Sequence, residues 1–349
     1  MCNRREVTKK DLLSIPTRPF DPAEGGSVSR VLEQMQGTAF QGRNLGVAFE
    51  VWKKMLGDRC TIMMGLAGAM TPAGMRRVVV RMIENRLIDC VVATGANFFH
   101  DIHETVGEFH YQGTAQIDDL MLAENLVDRI YDVYADEEKF REHDRWIGRF
   151  AASLDQSRPY TTREFLYLLG LELGKRAKED GIVSAAAKAG IPLYCPAVGD
   201  SSIGIGIATN RWGGGNKLMF DVVGDVLETA RIAAESNCTG VIYFGGGTPK
   251  NFIQQTEVTL LVMKEEATGH KYAIQVVTDA PHWGGLSGCT FEEAQSWGKI
   301  AKNANMVTCH CDSTIAMPLL ATALLEQKEL IERRRRPAFT MGPELGIKA

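Results

Sequence analysis

The chain has 349 residues, of which 45% are hydrophobic and 23% are charged. This composition excludes a wholly disordered or collagen-like protein and leaves room for one large α/β domain or two average domains. Lysine and arginine number 39 against 43 aspartate and glutamate, and the net charge of -4 excludes a global basic field for nucleic acid or an anionic membrane. No apolar run reaches the roughly 18 to 20 residues of a membrane span, and the start lacks the apolar core of a signal peptide, so we expect a cytoplasmic protein.

Short apolar runs alternate with helix-period segments from residue 61 onward. The first run, Thr61–Leu66, precedes a predicted helix at 72–85, for which Thr71 is the predicted N-cap. The remaining predicted strands are 89–94, 191–198, 239–244, 272–278 and 306–311. The remaining predicted helices are 101–109, 177–189, 222–236, 249–265, 291–302 and 318–333. Continuous apolar runs are typical of strands buried on both faces, so the alternation predicts an α/β fold with a mainly parallel sheet and helices on both faces.

Three regions fall outside this alternation. Residues 1–45 are polar and proline-containing and are predicted to form an N-terminal arm, whereas the charged residues 134–165 are predicted to form a mostly helical insertion. The α/β domain is then predicted at 46–337 and a C-terminal tail at 338–349. The arginine run at 333–336 lies at a helix end, where the helix dipole favours cations, so we expect it to be solvent-exposed and not to bind nucleic acid.

The eight cysteines are spread along the chain, and several lie inside apolar runs. We expect free, mostly buried thiols. The nearest approach to a metal pair is Cys309-His310-Cys311, whose alternating side chains would point to opposite faces of a strand. The sequence therefore predicts no metal site.

Glycine-rich turns follow two predicted strands. Gly245, Gly246 and Gly247 follow 239–244, and Thr94-Gly95-Ala96 follows 89–94. Such turns let backbone N–H groups approach a phosphate at a helix N-terminus, but a tight turn alone explains them equally well. Asp200 and Asp312 follow two other strands, where a carboxylate can hold ribose hydroxyls or a substrate amine; for Asp312 a helix N-cap is the alternative.

The sequence feature that points most specifically to a reaction is a lysine in an apolar setting, within Ser296-Trp297-Gly298-Lys299-Ile300. An amine nucleophile must be neutral, and removal from water beside an indole favours the neutral form. The alternative is a lysine near the end of an amphipathic helix whose stem lies on Trp297.

Taken together, these residues make the chain similar to the deoxyhypusine synthases and their bacterial relatives. The resemblance implies a Rossmann-like, NAD-using aminoalkyl transferase that acts on small-molecule amines as a homotetramer with active sites at dimer interfaces. In that family NAD oxidises a polyamine, the active-site lysine takes a four-carbon unit from the resulting imine, and an acceptor amine receives it. The similarity extends from about Gly37 to Leu320 and rests on the Ser296–Ile300 run, Gly245–Gly247, Pro196-Ala197, Gly199-Asp200 and Asp312.

Residue roles follow from the same resemblance. Lys299 would be the imine-forming nucleophile, Trp297 an aromatic wall and Glu293 a carboxylate for a substrate nitrogen. His100 stands where a glutamate is common, and it is either a general base or a cap of a helix that begins at Asp101. The residues implied to contact NAD are Thr94, Gly95, Ala96, Asp200, Gly245, Gly246, Gly247, Thr278, Ser287 and Asp312.

Several family carboxylates are replaced in this chain. Ile205 stands where an aspartate is usual, Asn251 replaces a histidine, and the acidic loop has become Trp283–Gly288. A buried ammonium needs a partner, so we do not expect spermidine to bind in the family's usual way. Trp283 and Leu286 indicate a more apolar pocket, in which an aromatic face could hold a cation or guanidinium.

The sequence therefore predicts an NAD-dependent transferase that moves an aminobutyl or guanidinobutyl unit between small amines, in polyamine (homospermidine-like) biosynthesis. Among the members of the family, the bacterial deoxyhypusine synthase-like proteins fit this pattern best. The alternatives are a deoxyhypusine synthase that modifies a translation factor lysine with spermidine as donor, a non-catalytic NAD-binding relative, and a plain dehydrogenase.

Overall fold

The structure is a computed structural model that describes residues 8–348. Its strands are β1 (Thr61–Leu66), β2 (Cys90–Ala93), β3 (Tyr111–Gln112), β4 (Val127–Ile130), β5 (Val133–Asp136), β6 (Leu193–Tyr194), β7 (Thr239–Phe244), β8 (His270–Val276), β9 (Ile300–Cys309), β10 (Ala338–Met341) and β11 (Leu345–Lys348). Its α-helices are α1 (Lys9–Leu12), α2 (Val28–Met35), α3 (Phe40–Gly57), α4 (Arg76–Glu84), α5 (Gly95–Thr105), α6 (Asp119–Glu124), α7 (Glu137–Ser153), α8 (Thr162–Gly174), α9 (Ile182–Ala189), α10 (Ser202–Trp212), α11 (Val222–Glu235), α12 (Gly247–Met263), α13 (Phe291–Ser296), α14 (Ser313–Leu325) and α15 (Lys328–Arg333). No helix in this part of the chain is long and apolar enough to cross a membrane.

Six strands form one parallel sheet in the order β6-β2-β1-β7-β8-β9. The chain proceeds outward from β1 towards one side and from β7 towards the other, which is the strand order of a Rossmann sheet. This confirms the predicted fold class. In sheets of this type, ligands bind at the carboxyl ends of the strands, where the chain changes direction, and here that position lies between β1 and β7.

The sheet is buried on both faces, which explains the continuous apolar runs. All residues of β1 are buried, and successive side chains of a strand point to opposite faces. Met64 packs in a core with Trp52 of α3, whereas Met63 packs in a second core with Ile253 of α12 and Ala294 of α13. The first core also includes residues of α4, α5 and α14, and the second includes residues of α11.

The predicted element boundaries were correct for some strands and wrong for several helices. Strands β1 and β7 lie at the predicted residues. The helix predicted at 101–109 is α5, which begins at Gly95, directly after β2. Thr71 is not an N-cap, because it lies in a π-helical turn, where its hydroxyl donates to the carbonyl of Asn97 at 3.0 Å.

The difference between prediction and structure that matters most for the site concerns the helix predicted at 291–302. Helix α13 ends at Ser296, and Gly298 adopts a left-handed φ of 71°. A residue in this conformation stops a helix, and β9 begins two positions later at Ile300. Lys299 therefore lies in a turn between a helix and a strand.

Within residues 8–348, the regions outside the alternation contain secondary structure that the sequence did not predict. Helix α7 and the start of α8 fill the predicted insertion, but a small antiparallel sheet in the order β3-β5-β4 precedes α7 and was not predicted. Helix α3 crosses the predicted end of the arm at residue 45. The predicted tail forms a β10–β11 hairpin, which Arg163 anchors by donating to the carbonyls of Gly342 and Pro343.

The cysteines of residues 8–348 carry free thiols, as predicted. Cys2 lies outside the described residues. Cys309 is the last residue of β9 and is buried, whereas Cys311 is partly exposed beyond the strand. Within residues 8–348, no group of three or more His, Cys, Asp or Glu is arranged to hold a metal ion.

Candidate active site

The carboxyl ends of the parallel strands meet at one edge of the sheet, which we call the carboxyl edge. Residues far apart in sequence therefore come to the same side of the molecule. The predicted cofactor residues lie after β6 (Asp200), β2 (Thr94, Gly95, Ala96), β7 (Gly245, Gly246, Gly247), β8 (Thr278, Ser287) and β9 (Asp312).

The turn after β7 leads into α12 and is open on the side of Gly247. Gly245 and Gly247 have left-handed φ values of 80° and 56°, and Gly246 is the N-cap of α12 without a side-chain cap. A Cβ at Gly247 would meet nothing within 4 Å. Ser287 borders this turn, since its Oγ accepts a hydrogen bond from Gly247 N at 3.0 Å. A glycine-lined helix N-terminus with open space at its first residue can bind a phosphate group.

The turn after β2 is tied to its neighbours by a buried amide. Asn97 Nδ2 donates to Thr94 Oγ1 at 2.9 Å and to the carbonyl of Gly68, beyond β1, at 2.8 Å. A Cβ at Gly95 would lie 2.3 Å from Ser201, so only glycine allows this approach. Asn97 thus holds the turns after β1 and β2 together, a role that its position in sequence did not reveal.

A cavity of about 770 Å³ opens at the carboxyl edge. It is bounded by the turn after β1 at 69–74, by the small β3-β5-β4 sheet, and by Asp312 and Thr314 at the start of α14. Asp312 caps α14, because its carboxylate accepts a hydrogen bond from Thr314 N at 2.7 Å. The same residue lines the cavity, so capping and ligand contact are compatible.

Lys299 lies at the amino end of β9, but its side chain reaches towards α12. Its Nζ is 3.4 Å from Asn251 Oδ1 and 5.5 Å from the centre of the Trp297 ring. The lysine is half-buried, and Trp297 is 62% exposed. The structure therefore brings together three predicted site residues, and the amine has one acceptor and one aromatic face beside it.

Two other predicted substrate residues are open to solvent. Glu293 is exposed on α13, and Trp283 is exposed with its ring 4.4 Å from that of His282. Neither forms a side-chain hydrogen bond with Lys299 within residues 8–348. Leu286 lines an apolar groove of about 450 Å³, which residues of α11 and α12 form and which Asn251 also lines. The groove therefore extends to Asn251, whose Oδ1 is the acceptor beside the Lys299 amine.

A second lysine, Lys250, was not assigned a role from sequence although it lies three residues after the glycine turn. It is fully buried, and its Nζ donates to Gln275 Oε1 at 2.9 Å and to the carbonyl of Cys289 at 2.5 Å. Burial, with a smaller contribution from Lys299, lowers the pKa of Lys250 to about 8. Gln275 Nε2 in turn donates to the carbonyls of Gly245 and Ser287. This network fixes the glycine turn relative to the Trp283–Gly288 loop.

His100 lies in the middle of α5, so the prediction that it caps a helix beginning at Asp101 is wrong. Asp101 is buried and accepts hydrogen bonds from Ile182 N at 2.7 Å and Val183 N at 2.9 Å. Its carboxylate therefore caps α9, whereas His100 is available for another role.

The protonation of His100 follows from its hydrogen bonds. Its Nδ1 is 2.9 Å from His110 Nε2, and His110 Nδ1 is 2.6 Å from Glu104 Oε1. Because a carboxylate can only accept, His110 donates from Nδ1, and the arrangement in which its Nε2 accepts has His100 donating from Nδ1. Burial, together with His110 and His103, lowers the pKa of His100 to about 3 and keeps it neutral. Its Nε2 is then the basic nitrogen.

In one chain, His100 and Lys299 do not form one site. Helix α5 packs in the first core, whereas Ile300 and α12 pack in the second core on the opposite face of the sheet. Neither of the two side chains has a hydrogen bond to the other within residues 8–348.

Comparison with known proteins gives one consistent result. A sequence model described as deoxyhypusine synthase matches residues 30–324. The Methanosarcina acetivorans protein named "Probable deoxyhypusine synthase 2" is 50% identical over 331 residues, which cover 94% of this chain and 95% of that protein. The Chlorobaculum parvum "Deoxyhypusine synthase-like protein" is 37% identical over 326 residues, 91% of each chain. The crystal structure of an Entamoeba histolytica protein described as a deoxyhypusine synthase has a TM-score of 0.60 at 20% identity, covering 88% of this chain and 96% of that chain, and shares the fold.

Proposed function

Because the chain belongs to the deoxyhypusine synthase family, we propose that it is an NAD-dependent transferase that moves a four-carbon aminobutyl or guanidinobutyl unit between small amines, in polyamine (homospermidine-like) biosynthesis. The observation that carries this proposal is the half-buried Lys299 amine, held between the Trp297 ring and the Asn251 amide. A lysine in such a place suits covalent catalysis through an imine.

The carboxyl edge fits NAD. The glycine turn at the start of α12 and the open space at Gly247 suit a pyrophosphate, and Asp312 at the large cavity suits ribose hydroxyls. NAD, when bound, would accept a hydride from the carbon next to the substrate nitrogen and later return it. The residues proposed to hold it are Thr94, Gly95, Ala96, Asp200, Gly245, Gly246, Gly247, Thr278, Ser287 and Asp312.

Lys299 is the proposed covalent carrier. Its neutral Nζ attacks the carbon of the substrate imine, the bond from that carbon to the leaving amine breaks, and the four-carbon unit stays on Lys299 as an imine. The acceptor amine then attacks the same carbon and releases Lys299. Trp297 covers the methylenes of the unit, and Asn251 orients the lysine amine through its Oδ1.

His100 is the proposed general base. Its free Nε2 takes the proton that the substrate nitrogen loses during oxidation, while its Nδ1 proton passes to His110 beside Glu104. The positive charge then sits next to a carboxylate, not on the ring whose burial disfavours it. Since His100 and Lys299 lie on opposite faces of one chain, we place the active site between two subunits.

Exposed apolar side chains support this assembly. Val262 on α12, which lines the groove beside Asn251, is 78% exposed, and Val223 on the neighbouring α11 is 73% exposed. Contiguous apolar surface of this kind is typical of subunit interfaces. We propose that this face is covered in a homotetramer with active sites at dimer interfaces.

The polar groups near Lys299 favour a small acceptor with few charges. Asn251 supplies one amide, and Leu286 makes the adjoining groove apolar. An exposed indole such as Trp283 or Trp297 can hold an ammonium or guanidinium group by a cation–π contact. The second candidate is deoxyhypusine synthesis on a protein lysine, which is favoured by the 50% identity to a relative of that name.

Product analysis of the purified protein tests the proposal. Supplied with NAD and either spermidine, putrescine or agmatine, the protein should consume at least one amine and form a new amine without any protein acceptor. A strict requirement for a protein acceptor supports the second candidate. Accumulation of NADH with full activity in Lys299→Ala indicates a plain dehydrogenase, and NAD binding without amine consumption indicates a non-catalytic relative.

A further inference from the structure

Five arginines gather at the amino end of the sheet, opposite the carboxyl edge. Arg59 lies two residues before β1, Arg86 follows α4, and Arg334, Arg335 and Arg336 follow α15. We call them the amino-edge arginines. None of them takes part in the proposed reaction, so that reaction does not explain why they cluster.

Two of the amino-edge arginines are buried and share one carboxylate. Arg334 and Arg86 are each 8% exposed. Arg334 pairs with Asp89, and Arg86 Nη2 lies 3.5 Å from the same side chain. The expectation that the whole arginine run is solvent-exposed is therefore wrong for Arg334. Two guanidinium groups against one carboxylate leave an excess positive charge in a buried place, which is costly without a further anion.

The two buried guanidinium groups also retain unused donors. The Nε atoms of Arg86 and Arg334 are buried and have no hydrogen-bond partner within residues 8–348. Burial, then the nearby Arg336 and Arg334, lower the pKa of Arg86 against the opposing effect of Asp89. The other donors of the two groups are bonded to the backbone carbonyls of Cys60, Arg86, Ala189 and Pro337, so the two Nε–H groups are the ones left over.

The other three amino-edge arginines line a cavity. Arg59, Arg335 and Arg336 surround a space of about 300 Å³ together with Thr61 and Asn237. Within residues 8–348, these three arginines form no salt bridge, whereas their neighbour Arg333 pairs with Glu329. A concave site with three free guanidinium groups and two buried ones behind it is suited to a multiply charged anion.

We propose that this cavity binds a phosphate-type oxyanion, either inorganic phosphate or pyrophosphate, or the phosphate chain of a nucleotide. Guanidinium groups bind phosphate oxygens in pairs, with two donors to two acceptors. The volume is at the lower end for small-ligand pockets and suits a compact anion. The site lies at the opposite end of the strands from the proposed NAD residues, so it is a second site and does not depend on the proposed function.

Calorimetric titration in chloride buffer tests this site. The protein is first saturated with NAD, so that the carboxyl edge is filled, and is then titrated with phosphate, pyrophosphate or ADP. We expect saturable binding of at least one of them, weakened at least tenfold by the double substitution Arg335→Gln and Arg336→Gln. The matched control Arg333→Gln changes an adjacent exposed arginine outside the cavity and should bind like the unmodified protein.

The three anions also identify the source of the phosphate group. Equal binding of pyrophosphate and ADP indicates a free oxyanion, and tighter binding of ADP indicates a nucleotide. The proposal is overturned if none of the three binds saturably, or if the double variant, folded by its circular dichroism spectrum, binds as tightly as the control. It is also overturned if the protein binds duplex DNA through these arginines more tightly than any of the three anions, because the arginines would then form a nucleic-acid-binding surface.

Discussion

Two neighbouring lysines near the proposed site have different environments. Lys250 is fully buried with two acceptors at 2.9 and 2.5 Å, whereas the half-buried Lys299 has one at 3.4 Å. Lys250, with two close acceptors, fixes the glycine turn, whereas Lys299, with one more distant acceptor, remains available to react. Sequence alone identified Lys299 through its flanking Trp297 and Gly298. It did not identify Lys250, because its acceptors, Gln275 and the Cys289 carbonyl, come from distant segments of the chain.

Substitution of Lys250 tests its structural role. Lys250→Met should lower the free energy of unfolding by about 1–3 kcal/mol, because two buried acceptors lose their donor. Burial lowers the folded-state pKa to about 8, below that of the unfolded chain, so the native state binds fewer protons between about pH 8 and 10.5. The unmodified protein should therefore gain stability relative to Lys250→Met as pH rises from 8 to 10, measured by urea unfolding. A gap that shrinks over this range contradicts the account.

The His110 contact predicts a change in pH dependence. His110→Phe removes the acceptor of His100 Nδ1, so kcat should fall roughly 10- to 100-fold. His110 is also one of the groups that lower the pKa of His100, after burial, so the acid limb of the kcat profile should move to higher pH. His143→Phe, which changes a half-buried histidine outside this chain of hydrogen bonds, is the control. If kcat falls by the same factor at every pH, His110 has only a structural role.

Among the elements, those with local sequence signals were predicted well and those without were not. Strand β7 and the glycine turn that follows it are adjacent in sequence, and the abrupt change from apolar residues to glycines marks the end of the strand. Strand β3 has two exposed residues, and β4 and β5 are short and only partly buried, so neither hydrophobic alternation nor a continuous apolar run marks them. They form because each pairs with a neighbour, which a single strand's sequence does not show.

The start of α12 gives a test of the cofactor site. Gly247→Ala places a methyl group in the open space before the helix, at a φ of 56°, and should raise the Kd for NAD roughly tenfold or more. Gly214→Ala is a matched control, because Gly214 has a φ of 77° and also has nothing within 4 Å of an added Cβ. It lies in the loop between α10 and α11, away from the carboxyl edge. Fluorescence titration showing equal Kd values for the two variants would count against the proposed site.

At the scale of the whole molecule, a single chain does not place His100 and Lys299, which the proposed reaction uses at one site, on the same side of the sheet. Helix α5 with His100 and the β9 start with Lys299 lie on opposite faces of the sheet. The exposed apolar side chains lie on α11 and α12, the helices that form the groove beside Asn251. The alternating sequence predicted the sheet and its layers, but it could not show which faces stay uncovered, since that depends on the packing of all helices together.

Mixed oligomers test whether the site is shared. Lys299→Ala and His100→Ala should each be inactive alone, and their co-expression should restore a substantial part of the activity, because some sites then combine an intact Lys299 with an intact His100 from another subunit. Native mass spectrometry verifies that mixed oligomers form. Mixed oligomers without any restored activity would mean that both residues of a site come from the same chain.

The covalent role of Lys299 is the central claim, and borohydride trapping tests it most directly. The protein is incubated with NAD and spermidine, putrescine or agmatine, reduced with borohydride and digested for mass spectrometry. We predict a four-carbon amine or guanidine adduct on Lys299, and no adduct in Lys299→Arg, which should still bind NAD. Absence of any adduct on Lys299 with all three donors, in protein that binds NAD, or an adduct on Lys250 in its place, would contradict the account.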